Sequence, residues 1–248
     1  MDKTTLSRVN LNAVFRTLEK LVELDPKSAD IIAGADEVLQ FTSPAATIRL
    51  AIKDGKITFH RGSGPNTMNL AFPTPGAVNK LFEGTGIPIP LKGITKIGFL
   101  TGTFTELTER MTEILQPSEE ALKDDDFREL NTILTVHVAV YALAEIANSD
   151  ELGKMSAARI PDGEIQLAVK NGPALIIKIN DHKFSVVEGV TTTAMSRMIF
   201  EDIETTGQVL RGDLPSYTAV GRDLISLSGN ISNLDNFNKI LALVSTYL

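Results

Sequence analysis

Apolar residues alternate with polar ones at Ile48, Leu50 and Ile52, with Arg49, Ala51 and Lys53 between them. This period of two predicts a strand with one buried face. Asp54-Gly55 follows as a two-residue hairpin turn, and Ile57 and Phe59 continue on a second strand. A third strand carries Met68, Leu70 and Phe72. The period then lengthens. Thr74 caps a helix with Pro75 at its first position, Ala77, Val78, Leu81 and Phe82 on one face, and Gly84 past its end. A short strand over Lys96–Leu100 leads to a closing helix that starts at the capping-box pattern Thr103-x-x-Glu106 and presents Leu107, Met111 and Ile114. Ahead of the strands, Leu11, Val14, Phe15, Leu18, Leu21 and Val22 form an amphipathic stripe ending near Asp25-Pro26.

The pattern occurs twice. Displaced by 127 positions, Ile48–Phe59 falls on Leu175–Val186, and Gly62 on Gly189. After one inserted residue, Phe72 meets Phe200, Gly84 meets Gly212, Gly93 meets Gly221 and Ile97 meets Ile225. The second hairpin turn has His182 in place of Gly55, which predicts a different turn shape. Asp202 takes the capping role before Val209 and Leu210, and a strand over Leu224–Ser228 precedes a helix presenting Leu234, Phe237, Leu241, Val244 and Leu248.

Phe127–Ala147 stands where the amphipathic stripe stood and is apolar nearly all round, so it is predicted to pack between the halves as well as on its own sheet. The polar run Gln116–Asp126 divides the chain into residues 1–116, a linker at 117–126, and residues 127–248. Each half reads as α+β, with hairpin-joined strands between helices.

With 24 Lys+Arg against 31 Asp+Glu, the net charge of −7 argues against nucleic-acid binding, which requires clustered cations, and against adhesion to acidic membranes. The absence of Cys excludes disulfides, thiolate metal sites and a cysteine nucleophile. Met1–Thr5 opens no apolar run of a signal peptide, Ser245–Leu248 is no peroxisomal address, and Ile133–Ala147 is too short to span a bilayer; a cytoplasmic protein without stable membrane insertion is expected. Three histidines supply little for catalysis: His60 ends a strand, His137 lies in an apolar helix and His182 in a turn. Gly62-Ser63-Gly64 and Gly84-Thr85-Gly86 do not extend to phosphate-binding motifs, and Asp124-Asp125-Asp126 lacks calcium-loop spacing. Neither a catalytic residue, a metal nor a cofactor is expected; an enzyme would need a buried carboxylate such as Glu37 or Glu164 over a cavity.

At these residues the chain resembles the sterol carrier protein family. The resemblance is carried by the hairpin at Asp54-Gly55, the helix ending Leu81-Phe82-Glu83-Gly84, the Gly93–Gly98 stretch, and in the second copy Asn180-Asp181-His182-Lys183, Met198-Ile199-Phe200, Leu210-Arg211-Gly212 and Ile225–Gly229. It implies two tandem units, each a roughly five-stranded, curved, mainly antiparallel sheet covered by helices around an apolar tunnel. It also implies non-enzymatic binding or transfer of a fatty acid, acyl-CoA, sterol or phospholipid. The residues that would line such tunnels are Met68, Leu70, Phe72, Leu81, Phe82 and Met111 in one copy, and Met195, Met198, Phe200, Leu210, Leu227, Phe237, Leu241 and Val244 in the other. Lys53, Lys56 and Arg61 are head-group candidates, with plain surface solvation as the ordinary alternative. Periodicity does not separate a hollow core from a filled one, so a protein-interaction module with filled cores remains the other reading. Homo-oligomerisation is left open.

Overall fold

The alternation at Ile48, Leu50 and Ile52 is realised as β2 (Thr47–Lys53), with all three side chains buried. The computed structural model describes residues 1–248, which form two units, Met1–Ser118 and Glu119–Leu248. In the first, β1 (Asp36–Thr42), β2, β3 (Lys56–Arg61), β4 (Met68–Ala71) and β5 (Ile89–Lys92) make a sheet of order β3-β2-β1-β4-β5. Only the β1–β4 pairing is parallel. The helices are α1 (Lys3–Val9), α2 (Phe15–Leu24), α3 (Pro26–Ile31), α4 (Pro75–Phe82), α5 (Ile97–Phe99) and α6 (Thr105–Leu115).

The second unit opens with α7 (Asp125–Ser149) and α8 (Glu151–Ala157). Then come β6 (Gly163–Val169), β7 (Ala174–Asn180), β8 (Lys183–Glu188), β9 (Ser196–Phe200), α9 (Ile203–Arg211), α10 (Ser216–Gly221), β10 (Ile225–Gly229) and α11 (Ile231–Tyr247). Its sheet runs β10-β9-β6-β7-β8, the same order read from the opposite edge, again with one parallel pair, β6–β9. The protein is therefore α+β, with two five-stranded, mainly antiparallel sheets.

The strands that periodicity did not identify, β1 and β6, are the central ones. Each interrupts its apolar run with a buried glutamine, Gln40 or Gln166. These side chains face away from the helices and tie down the loop after the hairpin. Gln40 Oε1 accepts from Gly64 N at 3.1 Å, and Gln166 Oε1 accepts from Thr191 N at 2.8 Å. Buried amides persist in a sheet only when bonded in this way.

Four local expectations are corrected. Lys96–Leu100 is not a strand: the edge strand is β5, and Ile94–Phe99 is helical. The chain leaves the sheet at Gly93, whose φ of +81° suits glycine and where a Cβ would come within 2.7 Å of Thr67 O. In the second unit Gly229 does the same, with φ +95° and a Cβ position 2.2 Å from Met195 O. Gly93 thus corresponds to Gly229 rather than Gly221, and Ile97 does not correspond to Ile225, because the second unit inserts the segment carrying α10 before its edge strand. Thr103 caps nothing; it lies inside a π-helical turn, Leu100–Phe104, that runs directly into α6. The hairpin turns are alike after all. Asp181 and His182 adopt φ of +49° and +56°, against +49° and +69° at Asp54 and Gly55.

Asp162 makes the second turn tolerable for histidine, since its carboxylate accepts from Asp181 N at 2.8 Å and His182 N at 3.0 Å. The His182 bond, then the Asp181 bond, holds the Asp162 carboxyl below its ordinary value. Replacing His182 by glycine relieves about 1 kcal/mol of left-handed strain against roughly 0.5 kcal/mol of added chain freedom. A net gain of about 0.5 kcal/mol is expected, read as a higher urea midpoint.

Both expected caps are present. Thr74 Oγ1 accepts from Ala77 N at 3.2 Å and Asp202 Oδ1 from Thr205 N at 2.6 Å. Asp124 caps α7 through Phe127 N at 2.8 Å. At 25 residues α7 is long and apolar enough to cross a membrane, which Ile133–Ala147 alone is not, yet its apolar stretch is largely buried in the protein. Within its unit it packs on β7, β8, α8, α9 and α11.

Candidate functional site

The second unit has a small, partly open apolar pocket of about 30 Å³, room for little more than one water molecule. Val136, Ala139 and Val140 of α7 form one wall, Leu167 of β6 and Phe200 of β9 the sheet side, and Thr206 and Leu210 of α9 with Leu241 of α11 the remainder. Parallel pairing places Leu167 opposite Met198 and Val169 opposite Phe200, so these residues share the face turned toward the helices. The Thr206 hydroxyl donates to Asp202 O at 2.7 Å and is thereby spent within its own helix. The walls are otherwise hydrocarbon.

Gly207 lets α9 lie close against α7: a Cβ there would come within 2.5 Å of Thr132 Oγ1 and 2.7 Å of Arg211 Nη1. Arg211 follows the cavity-lining Leu210 and is bonded through Nε to Asp213 at 3.2 Å, while its Nη1 is buried without a hydrogen-bond partner.

The equivalent space in the first unit is occupied by rings. Phe15 lies 4.7 Å from Phe41, 4.6 Å from Phe82 and 5.9 Å from Phe104 between ring centroids, and Phe41 lies 5.9 Å from Phe104. Phe41 pairs across to Ile48 and Leu70, as Leu167 does to Leu175 and Met198. Phe82 stands two residues before Gly84 (φ +72°), as Leu210 stands two before Gly212 (φ +84°). Two rings of the filled unit are thus leucines at the cavity of the other. Phe104 ends one π-helical turn and Phe15 immediately follows the other, at Asn10–Val14. Each wide turn shifts the face of its helix by one residue and brings a ring toward the sheet.

Of the residues expected to line a tunnel, Phe200, Leu210 and Leu241 border the cavity. Met198, Phe237 and Val244 are buried in the same unit, Met195 is half-buried with its sulfur near Gly163, and Leu227 is partly exposed on the edge strand. In the first unit Met68, Leu70, Phe72 and Met111 are buried and Leu81 and Phe82 half-buried. Leu167 was missed with its strand. Val136, Ala139 and Val140 were passed over because a helix apolar on every side offers no preferred face; its lack of a polar stripe was the available signal.

The carboxylates considered for catalysis have other partners. Glu164 lies on the face of β6 opposite the cavity, pairs with Lys178 at 3.8 Å and accepts from Thr191 at 2.5 Å and Thr193 at 2.8 Å. Those threonine bonds hold its carboxyl below the ordinary value. Glu37 is bound to Lys96 at 2.7 Å and Thr67 at 2.5 Å. His137 is buried, with Nδ1 2.8 Å from Ile133 O and Nε2 3.6 Å from Glu188, while His60 is exposed on β3. Lys53, Lys56 and Arg61 are exposed on the first sheet. No group of three or more His, Asp or Glu side chains is placed to hold a metal.

No protein-family model matches the chain, and no curated protein matches it. Among solved structures it is similar to a UbiJ-SCP2 ubiquinone synthesis protein, with 15% identity and a TM-score of 0.35 over 45% of this chain and 95% of that one. It is also similar to the sterol carrier protein domain 2 of Helicoverpa armigera, with 15% identity and a TM-score of 0.37 over 45% and 89%. A further likeness is to the inverting sec-alkylsulfatase Pisa1 from Pseudomonas sp., with 13% identity and a TM-score of 0.26 over 58% of this chain and 28% of that one.

Proposed function

We propose that the chain is a non-enzymatic binder of an apolar molecule, most simply a single-chain lipid, built from two sterol-carrier-like units of which the second takes the ligand. The observation that supports this reading is the small, partly open apolar pocket lined by α7, α9, α11 and the sheet, set against four phenylalanines in the corresponding interior of the first unit. At about 30 Å³ the cavity is well short of the roughly 150 Å³ that accepts a benzene ring. Ligand entry therefore requires α9 or α11 to swing outward. Burying about 14 methylenes returns on the order of 11 kcal/mol, from which immobilisation and opening subtract several.

The test is titration of the delipidated protein with a fluorescent fatty acid. Saturable binding at one site per chain is expected, and Leu210→Phe, which restores the ring present in the first unit, should weaken it at least tenfold while leaving the melting temperature within a few degrees. Failure of the unsubstituted chain to bind fatty acid, fatty alcohol or sterol would retire the proposal in favour of a filled interaction module.

A further inference from the structure

The segment from Gly84 to Thr105 exposes a run of large aliphatic side chains that the first unit does not bury. Ile87 is 90% exposed, Ile89 51%, Leu91 63%, Ile94 64% and Ile97 41%. Ile89 and Leu91 are both exposed on the edge strand β5, whose register with β4 shifts at a bulge that leaves Leu91 unpaired. Ile94 and Ile97 are three apart on the helical turn that follows, and so share a face. Isolated exposed aliphatics are ordinary, but five within eleven residues form a patch, and a patch of this kind marks an interaction surface.

Two observations define the partner. The chain carries on average one acid in every eight residues, yet none lies between Glu83 and Glu106; the charges in that interval are Lys92 and Lys96. Lys96 is paired with Glu37, whereas Lys92 is bonded to the Asn66 carbonyl. In addition, β5 is a free sheet edge to which another chain could add a strand, but Pro90 within it and Pro88 just before it have no N–H to offer. An aliphatic surface whose own segment contributes lysine and no acid, with Glu37 reaching it at Lys96, and which does not support strand addition matches the interfacial zone of a bilayer better than a protein edge, even on a chain of net charge −7.

We infer that the Ile87–Ile97 segment docks the protein reversibly on an anionic lipid surface, with the isoleucines and leucine entering the headgroup boundary and Lys92 meeting lipid phosphate. This docking stands on the patch and does not depend on the second unit's cavity accepting a ligand.

Vesicle flotation of the full chain tests it, with phosphatidylcholine vesicles containing a quarter phosphatidylglycerol and vesicles of phosphatidylcholine alone. The protein should float with the anionic vesicles, and Ile87→Ser/Leu91→Ser/Ile94→Ser should reduce the bound fraction at least tenfold. Lys92→Gln should reduce it severalfold on anionic vesicles and leave the weaker binding to neutral ones unchanged. The altered positions are exposed, so the melting temperature should hold; should the triple variant unfold, Ile94→Ser alone serves, with a severalfold loss expected. Absence of flotation, or equal flotation of the serine variants, overturns the inference. So does sedimentation showing a dimer that the serine substitutions dissociate without any vesicle binding, because the patch would then belong to a second copy of the chain.

Discussion

Phe41→Ala is expected to destabilise the protein by about 4 kcal/mol, the middle of the range for removing a fully buried phenylalanine. Phe41 sits on the central strand of the first sheet, with its ring in contact range of Phe15 and Phe104. Both neighbouring rings are held by helices, Phe15 at the start of α2 and Phe104 in the turn that runs into α6, which limits how far they can collapse into the space. Part of the loss is hydrocarbon returned to water on unfolding that no longer has a buried site, and part is the cavity itself. Phe41→Leu supplies the control. It introduces the residue found at the matching position of the second unit, Leu167, and should cost no more than roughly 1.5 kcal/mol, as other near-conservative core replacements do. Urea unfolding followed by circular dichroism measures both. Equal losses for alanine and leucine would show that the ring stacking, and not the filling of space, matters at this position.

The second large effect is expected at Arg110. This side chain reaches from α6 to the junction of α2 and α3, where its Nε lies 2.9 Å and its Nη2 3.2 Å from the two oxygens of Asp25. Ser28 Oγ donates to the same carboxylate at 2.6 Å, and Glu113 accepts from Arg110 Nη1 at 2.8 Å. Both Asp25 and Arg110 are largely buried. Burial acts to raise the Asp25 carboxyl, but the Arg110 and Ser28 hydrogen bonds outweigh it and hold the group below its ordinary value of 3.8. Arg110→Ala leaves a buried carboxylate with only the neutral hydroxyl and backbone donors of Ser28, and a loss of about 3 kcal/mol at pH 7 follows from breaking such a pair on one side.

The pH dependence has a definite sign. A carboxyl depressed in the folded state stabilises the protein above its unfolded value near 3.8, and that contribution fades as pH falls through the lower folded value. Without Arg110 the carboxyl titrates higher and neutralises early, so the difference between variant and parent should shrink as pH drops from 7 toward 3. A difference independent of pH over that interval would mean that Arg110 contributes by packing alone.

Local pattern suffices for the two α+β halves, both hairpins, the caps at Thr74 and Asp202, and most core positions, because each rests on contacts within a few residues. Period-two burial of Ile48, Leu50 and Ile52 is a property of one strand, and a cap is a bond across three residues. What lay beyond local pattern needed the tertiary structure. The central strands were masked by Gln40 and Gln166, whose polarity makes sense only once their loop partners are in place. The edge strand at Ile89–Lys92 is obscured by Pro88 and Pro90, and the pattern points instead to Lys96–Leu100, where Ile97 and Phe99 are two apart but the chain has already turned at Gly93. Whether a core is hollow was the furthest out of reach. Phe41 and Leu167, or Phe82 and Leu210, are equally apolar in a sequence, and vacancy arises from the sum of several side-chain volumes drawn from α7, β6, β9, α9 and α11. Hydrophobicity is written residue by residue, whereas empty volume exists only between residues that the fold has brought together.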